Sequence, residues 1–442
     1  MAGIFKAYDI RGIYGQDLTD DIAFKIGRAV ATFLKPKKFV IGHDMRPHST
    51  PLFEAMAKGL TMQGVDVINL GMVSTPMSYH ANGKLGADGS AIITASHNPG
   101  EWNGMKICRE QAIPISGATG IADIERIVKE EAFDAPAATP GTVTEYDIKP
   151  EYFEHIRTFA AMDKPLNVVI DYANGMGISE GGVFTDAMFN ITPMYDELDG
   201  TFPNHEANPL DLHTLNDISA KLKAGSYDFG IAFDGDADRA GFLDENGEIV
   251  TMDMITALVA QSMLEKFPGA AIFYDLRSSW AVKEVIEEAG GRPMMSRVGH
   301  AFIKAQMREA DAVFAGELSG HYYFRDNYYT ESSSLAAICV ANLISKTGKT
   351  LSELIKPIKR YFASGEINSK VADVQAVFKR LDEKYSDADN KFQLDGNSYE
   401  YADWWFNVRS SNTEPLVRLN LEAKTPEQMA EKRDEVLALI RA

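Results

Sequence analysis

Short apolar runs that stop at polar turns recur along this chain, with helix-like stretches between them. Phe39-Val40-Ile41-Gly42-His43-Asp44 predicts a strand running into a turn, Thr50 to Gln63 a helix, and Val65 to Leu70 a second strand. Asn167 to Asp171 opens the same way and continues past Gly175 and Gly177. Ala271 to Asp275 opens a third time, with a helix predicted from Trp280 to Ala289. Each opening is strand then helix, and the strands are apolar on both faces. Each unit therefore predicts a βαβ-type layer covered on both sides.

Each unit also carries a later apolar strand that ends in a polar loop. Ser90 to Ile93 runs into Thr94-Ala95-Ser96-His97-Asn98-Pro99, where Asn98-Pro99 stops the strand. Phe229 to Phe233 runs into Asp234-Gly235-Asp236-Ala237-Asp238-Arg239, and Ala312 to Ala315 into Gly316-Glu317-Leu318-Ser319-Gly320-His321. Open α/β sheets collect ligands at the carboxyl ends of their strands, so three such loops predict one shared cleft. Near residue 363 the pattern changes. Pro357 and Ala363-Ser364-Gly365 read as a linker, Trp405 to Arg409 alternates as a strand does, and Pro426 to Arg441 predicts a closing helix. The expected fold class is α/β: three similar units over 1–150, 151–250 and 251–362, with mixed sheets, and a smaller α+β domain over 363–442.

Composition narrows the partners. A chain of 442 residues has room for three or four domains, and 45% apolar with 24% charged residues is ordinary for a globular protein. The net charge of −19, from 44 basic and 63 acidic residues, argues against nucleic acid or an anionic membrane as partner. A phosphorylated substrate would need a local basic pocket. Cys108 and Cys339 fit no metal or redox spacing, Met1 to Asp9 has no apolar signal core, and no apolar stretch reaches membrane-spanning length. A cytoplasmic enzyme is the expectation.

The loops carry the candidate chemistry. Ser96 stands on a sharp turn at a strand end, where a turn-stabilising hydroxyl is the plainer alternative. His97 is not expected to pair with it as in a hydrolase, because neighbouring side chains on an extended segment point apart. Asp234, Asp236 and Asp238, at alternate positions, would share one side of an extended segment. Close unpaired carboxylates repel, and a bound cation relieves them. Donors that are all oxygen favour Mg²⁺ over Zn²⁺, with a solvated acidic turn as the alternative. Arg239 suits a phosphate near that ion. Glu317, Ser319 and His321 suit vicinal sugar hydroxyls, or form only a polar turn. Arg409, followed by hydroxyls and an amide through Thr413, suits a phosphate dianion. No G-x-x-x-x-G-K-[ST] loop is present, so a nucleoside triphosphate is not indicated.

Taken together, these segments resemble the α-D-phosphohexomutase family over essentially the whole chain. The matching motifs come in the family's order: Tyr8 to Gly12, Thr94 to Pro99, Asn103 to Lys106, Asp234 to Arg239, Gly299-His300, Gly316 to His321, and Arg409 to Pro415. The resemblance implies four domains around a central cleft and reversible conversion of mannose 1-phosphate to mannose 6-phosphate. A phosphoserine enzyme and a hexose 1,6-bisphosphate, both intermediate and activator, would carry the reaction. It implies that Ser96 carries the phosphoryl group, and that Asp234, Asp236 and Asp238 hold Mg²⁺ with an oxygen of Ser96. Lys106, with Arg11 close by, resembles a general acid/base pair, and His97 and His300 line the site. Glu317, Ser319 and His321 would hold sugar hydroxyls, and Arg409, Ser411, Asn412 and Thr413 the non-reacting phosphate. Tyr8 and Arg277 match further cleft positions, Arg277 where relatives often carry Lys.

Glucose phosphates, alone or beside mannose phosphates, are the nearest alternative, since the sugars differ only at C2 and no residue decides between them. Glucosamine phosphates are disfavoured, because Glu317-Leu318-Ser319 departs from the Glu-Gln-Ser of those relatives. A metal-dependent sugar phosphatase or a catalytically dead sugar-phosphate sensor would use similar residues.

Overall fold

Three successive units fold with the same strand neighbours. The computed structural model describes residues 3–410 and 416–442. In the first unit four adjacent strands of the six-stranded sheet lie in the order Trp102–Arg109, Gly89–Ile93, Lys38–His43, Asp66–Met72. In the second the order is Ala240–Asp244, Phe229–Phe233, Leu166–Asp171, Phe189–Met194, and in the third Tyr322–Phe324, Phe314–Gly316, Ala271–Asp275, Arg292–Ser296. Each time the last three strands are parallel and the first is antiparallel to its neighbour. These are mixed sheets, and the antiparallel step is made by the connection that holds the polar loop. The loops of Ser96, of the three aspartates and of Glu317 are thus topologically equivalent.

A second repeat lies at the end of each unit's opening strand. Asp44, Asp171 and Asp275 each accept a hydrogen bond from the amide two residues on, at 3.1, 2.9 and 2.8 Å. This side-chain turn closes the strand. In the second unit the helix that follows is a single turn, Gly177–Glu180, because glycines at 175, 177, 181 and 182 cost a helix too much backbone entropy.

One apolar core runs through the first three units, from Val40 and Met77 through Phe233 to Leu335, while the fourth has its own around Phe406, Leu421 and Val436. Glu180 ties the three together. Its buried carboxylate accepts from Ser74 at 2.5 Å, Tyr152 at 3.0 Å and Ser334 at 2.6 Å, one hydroxyl from each unit. The fourth sheet is antiparallel, in the order Phe362–Ala363, Leu416–Ala423, Trp404–Ser410, Asn397–Glu400, Asn390–Gln393, with Ile367–Lys370 also on Leu416–Ala423. The segment expected as a linker therefore begins this sheet: Phe362 pairs with Ala423 and Ala363 with Glu422. Cys108 and Cys339 are buried and unpaired, and among the described residues no helix is long and apolar enough to cross a membrane.

Candidate active site

Ser96 is held in a conformation that its sequence neighbourhood hides. Its φ is +52°, a left-handed geometry uncommon for a residue with a side chain. Thr94 Oγ1 accepts from the Ser96 amide at 2.9 Å, and Arg46 braces the loop from beneath. The Arg46 guanidinium is buried and donates to the carbonyls of Ser96, Asn98, Pro99 and Trp102 at 2.6 to 3.0 Å. Arg11 adds a bond to the Ala95 carbonyl at 3.2 Å and another to the Asn98 side chain. The left-handed turn overturns the expectation for His97. The segment is not extended, and the ring folds back to put Nδ1 3.3 Å from Ser96 Oγ. Burial, then Arg239 and Arg11, lowers the His97 pKa well below the usual imidazole value, so the ring is neutral.

The aspartate loop meets this turn across the boundary between the first two units. Ser96 Oγ donates to Asp234 Oδ2 at 2.8 Å. The approach requires Gly235, since a Cβ there would lie 2.4 Å from the Ser96 carbonyl oxygen. The three carboxylates converge, with one oxygen of each within 4.8 Å of the others. They do so on a turn with Ala237 at φ +64°, not on the extended segment that the spacing predicts. Arg239 and a lysine both lie beside the carboxylates. Lys106, projecting from Trp102–Arg109, places Nζ 2.6 Å from Asp236 Oδ2 and 2.5 Å from Asp238 Oδ2. Burial alone would lower the Lys106 pKa, but Asp236 and Asp238 outweigh it and hold the pKa above the ordinary lysine value. Burial, with Asp236 and Asp238, pushes Asp234 well up. Asp236 Oδ1 and Asp238 Oδ1 are buried without a hydrogen-bond partner. A cluster of oxygen donors with orphaned atoms fits a hard divalent cation.

The third loop joins the same chain of contacts. Arg239 Nε donates to His321 Nε2 at 3.2 Å, and His321 Nδ1 lies 2.8 Å from Ser319 Oγ. Because guanidinium can only donate, His321 Nε2 is the acceptor in this contact. Glu317 is buried and accepts from the Gly299 amide at 3.0 Å and from Tyr323. His300 begins the helix His300–Ala310, and its ring meets Tyr8 edge-on at 5.5 Å between centroids. Burial, then Lys304 and His321, lowers the His300 pKa well below its usual value. Arg277 is paired with Asp275 at 2.7 Å, and Asp275 also accepts from the amide of Leu318 in the third loop at 2.8 Å. Arg409, 7% exposed at the end of Trp404–Ser410, pairs with Glu366. Ser411, Asn412 and Thr413 lie outside the described residues.

Four family models cover nearly the whole chain. They are the phosphoglucomutase/phosphomannomutase α/β/α domain I over residues 2–135, domain II over 150–247, domain III over 251–361, and the C-terminal domain over 366–439. The chain belongs to the phosphoglucomutase/phosphomannomutase family. Among its relatives, a phosphomannomutase of Salmonella montevideo is 42% identical over 99% of this chain and 98% of its own. A phosphomannomutase of Escherichia coli (strain K12) is also 42% identical, over 98% and 97%. A crystal structure of a family protein from Burkholderia thailandensis superposes with a TM-score of 0.91 at 32% identity, covering 99% of this chain and 96% of that one.

Several members of the site escaped the sequence reading. Arg46 and Thr75 are the main ones, Thr75 donating to Asp236 Oδ2 at 2.5 Å from the first turn of Thr75–Lys84. Asp275 and Glu366, which organise the arginines, are two more. The recurrence of an aspartate at the end of each opening strand, followed two residues later by Arg46 and Arg277, was the available signal for part of this set.

Proposed function

We propose that this member of the family is a phosphomannomutase that interconverts mannose 1-phosphate and mannose 6-phosphate, with Ser96 as the phosphoryl carrier. The observation that carries the reading is the 2.8 Å bond from Ser96 Oγ to Asp234, beside Lys106 on Asp236 and Asp238. Asp234, Asp236 and Asp238, with an oxygen of Ser96, would hold Mg²⁺. When bound, the ion neutralises charge on the transferring phosphoryl group.

Phosphoryl transfer asks chiefly for positioning and charge neutralisation. Arg46 and Arg11 fix the Ser96 turn. Arg11 stays cationic, because Asp9 and the aspartate loop outweigh the effect of its burial, so it supplies charge. Lys106 holds a proton between two carboxylates, and the rings of His97 and His300 stay neutral beside it. Phospho-Ser96 would donate to the 6-hydroxyl of mannose 1-phosphate, giving a hexose 1,6-bisphosphate. After the bisphosphate turns over, Ser96 would take back the other phosphate. Glu317, Ser319 and His321 would orient the sugar, Tyr8 would border it, and Arg409 with Arg277 would face the non-reacting phosphate. Residues 411–413 would complete that pocket. Full-length similarity to named mutases supports this reading over a sugar phosphatase.

A coupled assay comparing mannose 1-phosphate with glucose 1-phosphate, with a trace of hexose 1,6-bisphosphate, tests the proposal. Turnover of mannose 1-phosphate to the 6-phosphate is expected. Inorganic phosphate as the main product would overturn it.

A further inference from the structure

Glu366 stands where a phosphate would be welcome. On the fourth sheet Arg409 and Arg418 are direct cross-strand partners, a like-charge pair that is unfavourable by itself. Glu366, one residue before the neighbouring strand Ile367–Lys370, reaches both. Its Oε2 is paired with Arg409 Nη2, and its Oε1 lies 3.5 Å from Arg418 Nη1. Arg277 of the third unit completes the group, with Nη1 3.7 Å from Glu366 Oε2. Three guanidiniums from two domains thus converge on one carboxylate. Asp275 neutralises Arg277 from the other side, so Arg409 and Arg418 have only Glu366 among these groups.

We infer that Glu366 is an internal competitor for the phosphate pocket, a positioning residue that holds Arg409 while the pocket is empty and returns to it as phosphate leaves. The inference rests on the mutase reading, in which the bisphosphate must let go of this pocket, turn over and present its other end. Interactions equally strong in every bound state slow such an exchange without helping the chemistry. A dianion facing Arg409 and Arg418 with no carboxylate to compete for them, and Arg277 beside them, would be held too tightly to turn over. Glu366 borders the same sheet as Arg409, so its effective concentration is high and the exchange is intramolecular. It is one-quarter exposed, open enough to be displaced, whereas Arg409 is buried against it.

The test is Glu366→Gln, which keeps shape and removes charge. Expected are an affinity for mannose 6-phosphate and for inorganic phosphate about tenfold tighter by calorimetric titration, a lower KM, and a lower kcat. Slower release of hexose 1,6-bisphosphate should accompany them. A merely structural role for Glu366 in separating Arg409 from Arg418 predicts the opposite, weaker phosphate binding with a lower melting temperature. Unchanged or weaker phosphate binding by a folded Glu366→Gln protein overturns the inference. Glu366→Asp, which keeps charge but draws it back from Arg409, should tighten phosphate binding to a smaller degree and serves if the Gln variant does not fold. Phosphate affinity is read by titration independently of turnover. Absence of mutase activity in the wild type would therefore sink the functional reading and leave the Glu366 measurement interpretable.

Discussion

Ser96 and Asp234, 138 residues apart and on different units, share a 2.8 Å hydrogen bond. The bond points a buried hydroxyl at the carboxylate cluster, where a phosphoryl group on that oxygen would need Lys106, Arg239 and a bound cation to offset the carboxylates. Ser96→Ala should leave mannose 1-phosphate binding nearly intact and lower exchange between the 1- and 6-phosphates by orders of magnitude, as expected when a covalent route is closed. Wild-type protein incubated with a hexose bisphosphate should gain one phosphoryl group by intact mass, mapping to Ser96. Wild-type turnover in the variant would sink the assignment.

Removal of divalent cations should abolish turnover yet barely change melting. Lys106 already sits on Asp236 and Asp238, and Arg239 lies 3.8 Å from Asp234, so the cluster keeps positive partners without an ion. Excess chelator should stop the coupled assay, and added Mg²⁺ should restart it. Full activity in chelator would exclude the metal role.

Much of the fold was legible because strands buried on both faces are apolar without interruption, and each opening run ends on Asp44, Asp171 or Asp275. The candidate site was legible as three loops, but the reasons for its geometry were not. The spacing of Asp234, Asp236 and Asp238 predicted convergence through strand alternation, whereas a left-handed Ala237 on a turn produces it. Ser96 in a left-handed conformation likewise turned His97 toward its hydroxyl. Lys106 pairs across 130 and 132 residues with Asp236 and Asp238, and Glu366 across 43 with Arg409. The first two separations are set by domain packing and the last by strand pairing within the fourth sheet, neither of which hydrophobic periodicity encodes.

Arg46 tests how far the Ser96 turn depends on its buried brace. Four carbonyl oxygens accept from this one guanidinium, which Asp44 pairs at 3.2 Å. Arg46→Met fills the space but leaves those oxygens without the guanidinium and the buried Asp44 carboxylate without its counter-charge. Breaking a buried charged network from one side costs about 3–5 kcal/mol, so both melting temperature and kcat should fall. A variant as stable as wild type would show that the loop holds its shape unaided.

Arg409→Ala should weaken both half-reactions, because in the proposed mechanism each would leave a phosphate at the same pocket. Loss of a charge-assisted, partly buried contact should cost about 2–5 kcal/mol of binding. Titration with mannose 1-phosphate and mannose 6-phosphate reads the effect directly. Affinity unchanged for both would remove Arg409 from the phosphate pocket.

Glu422 links pH to the seating of the fourth domain on the third. It lies on Leu416–Ala423 and is 2% exposed; Oε2 accepts from the Trp280 amide and from Trp405 Nε1, each at 3.0 Å. Burial pushes its pKa up from 4.5 to about 7, against the hydrogen bonds from Ser279, Trp405 and Trp280 that favour the charged form. The folded pKa lies above the unfolded one, so the sign is the reverse of the usual salt-bridged acid. Below pH 4.5 the group is protonated in both states and contributes nothing. Between 4.5 and about 7 only the folded state keeps the proton, and stability falls as pH rises; above 7 the full cost, about 3 kcal/mol, is in place. Glu422→Gln keeps an acceptor for Trp280 and Trp405 and removes that cost. Calorimetric melts of the variant should exceed those of wild type at pH 8, with the gap closing toward pH 5. A gap that does not change with pH would show that Glu422 is not the titrating group.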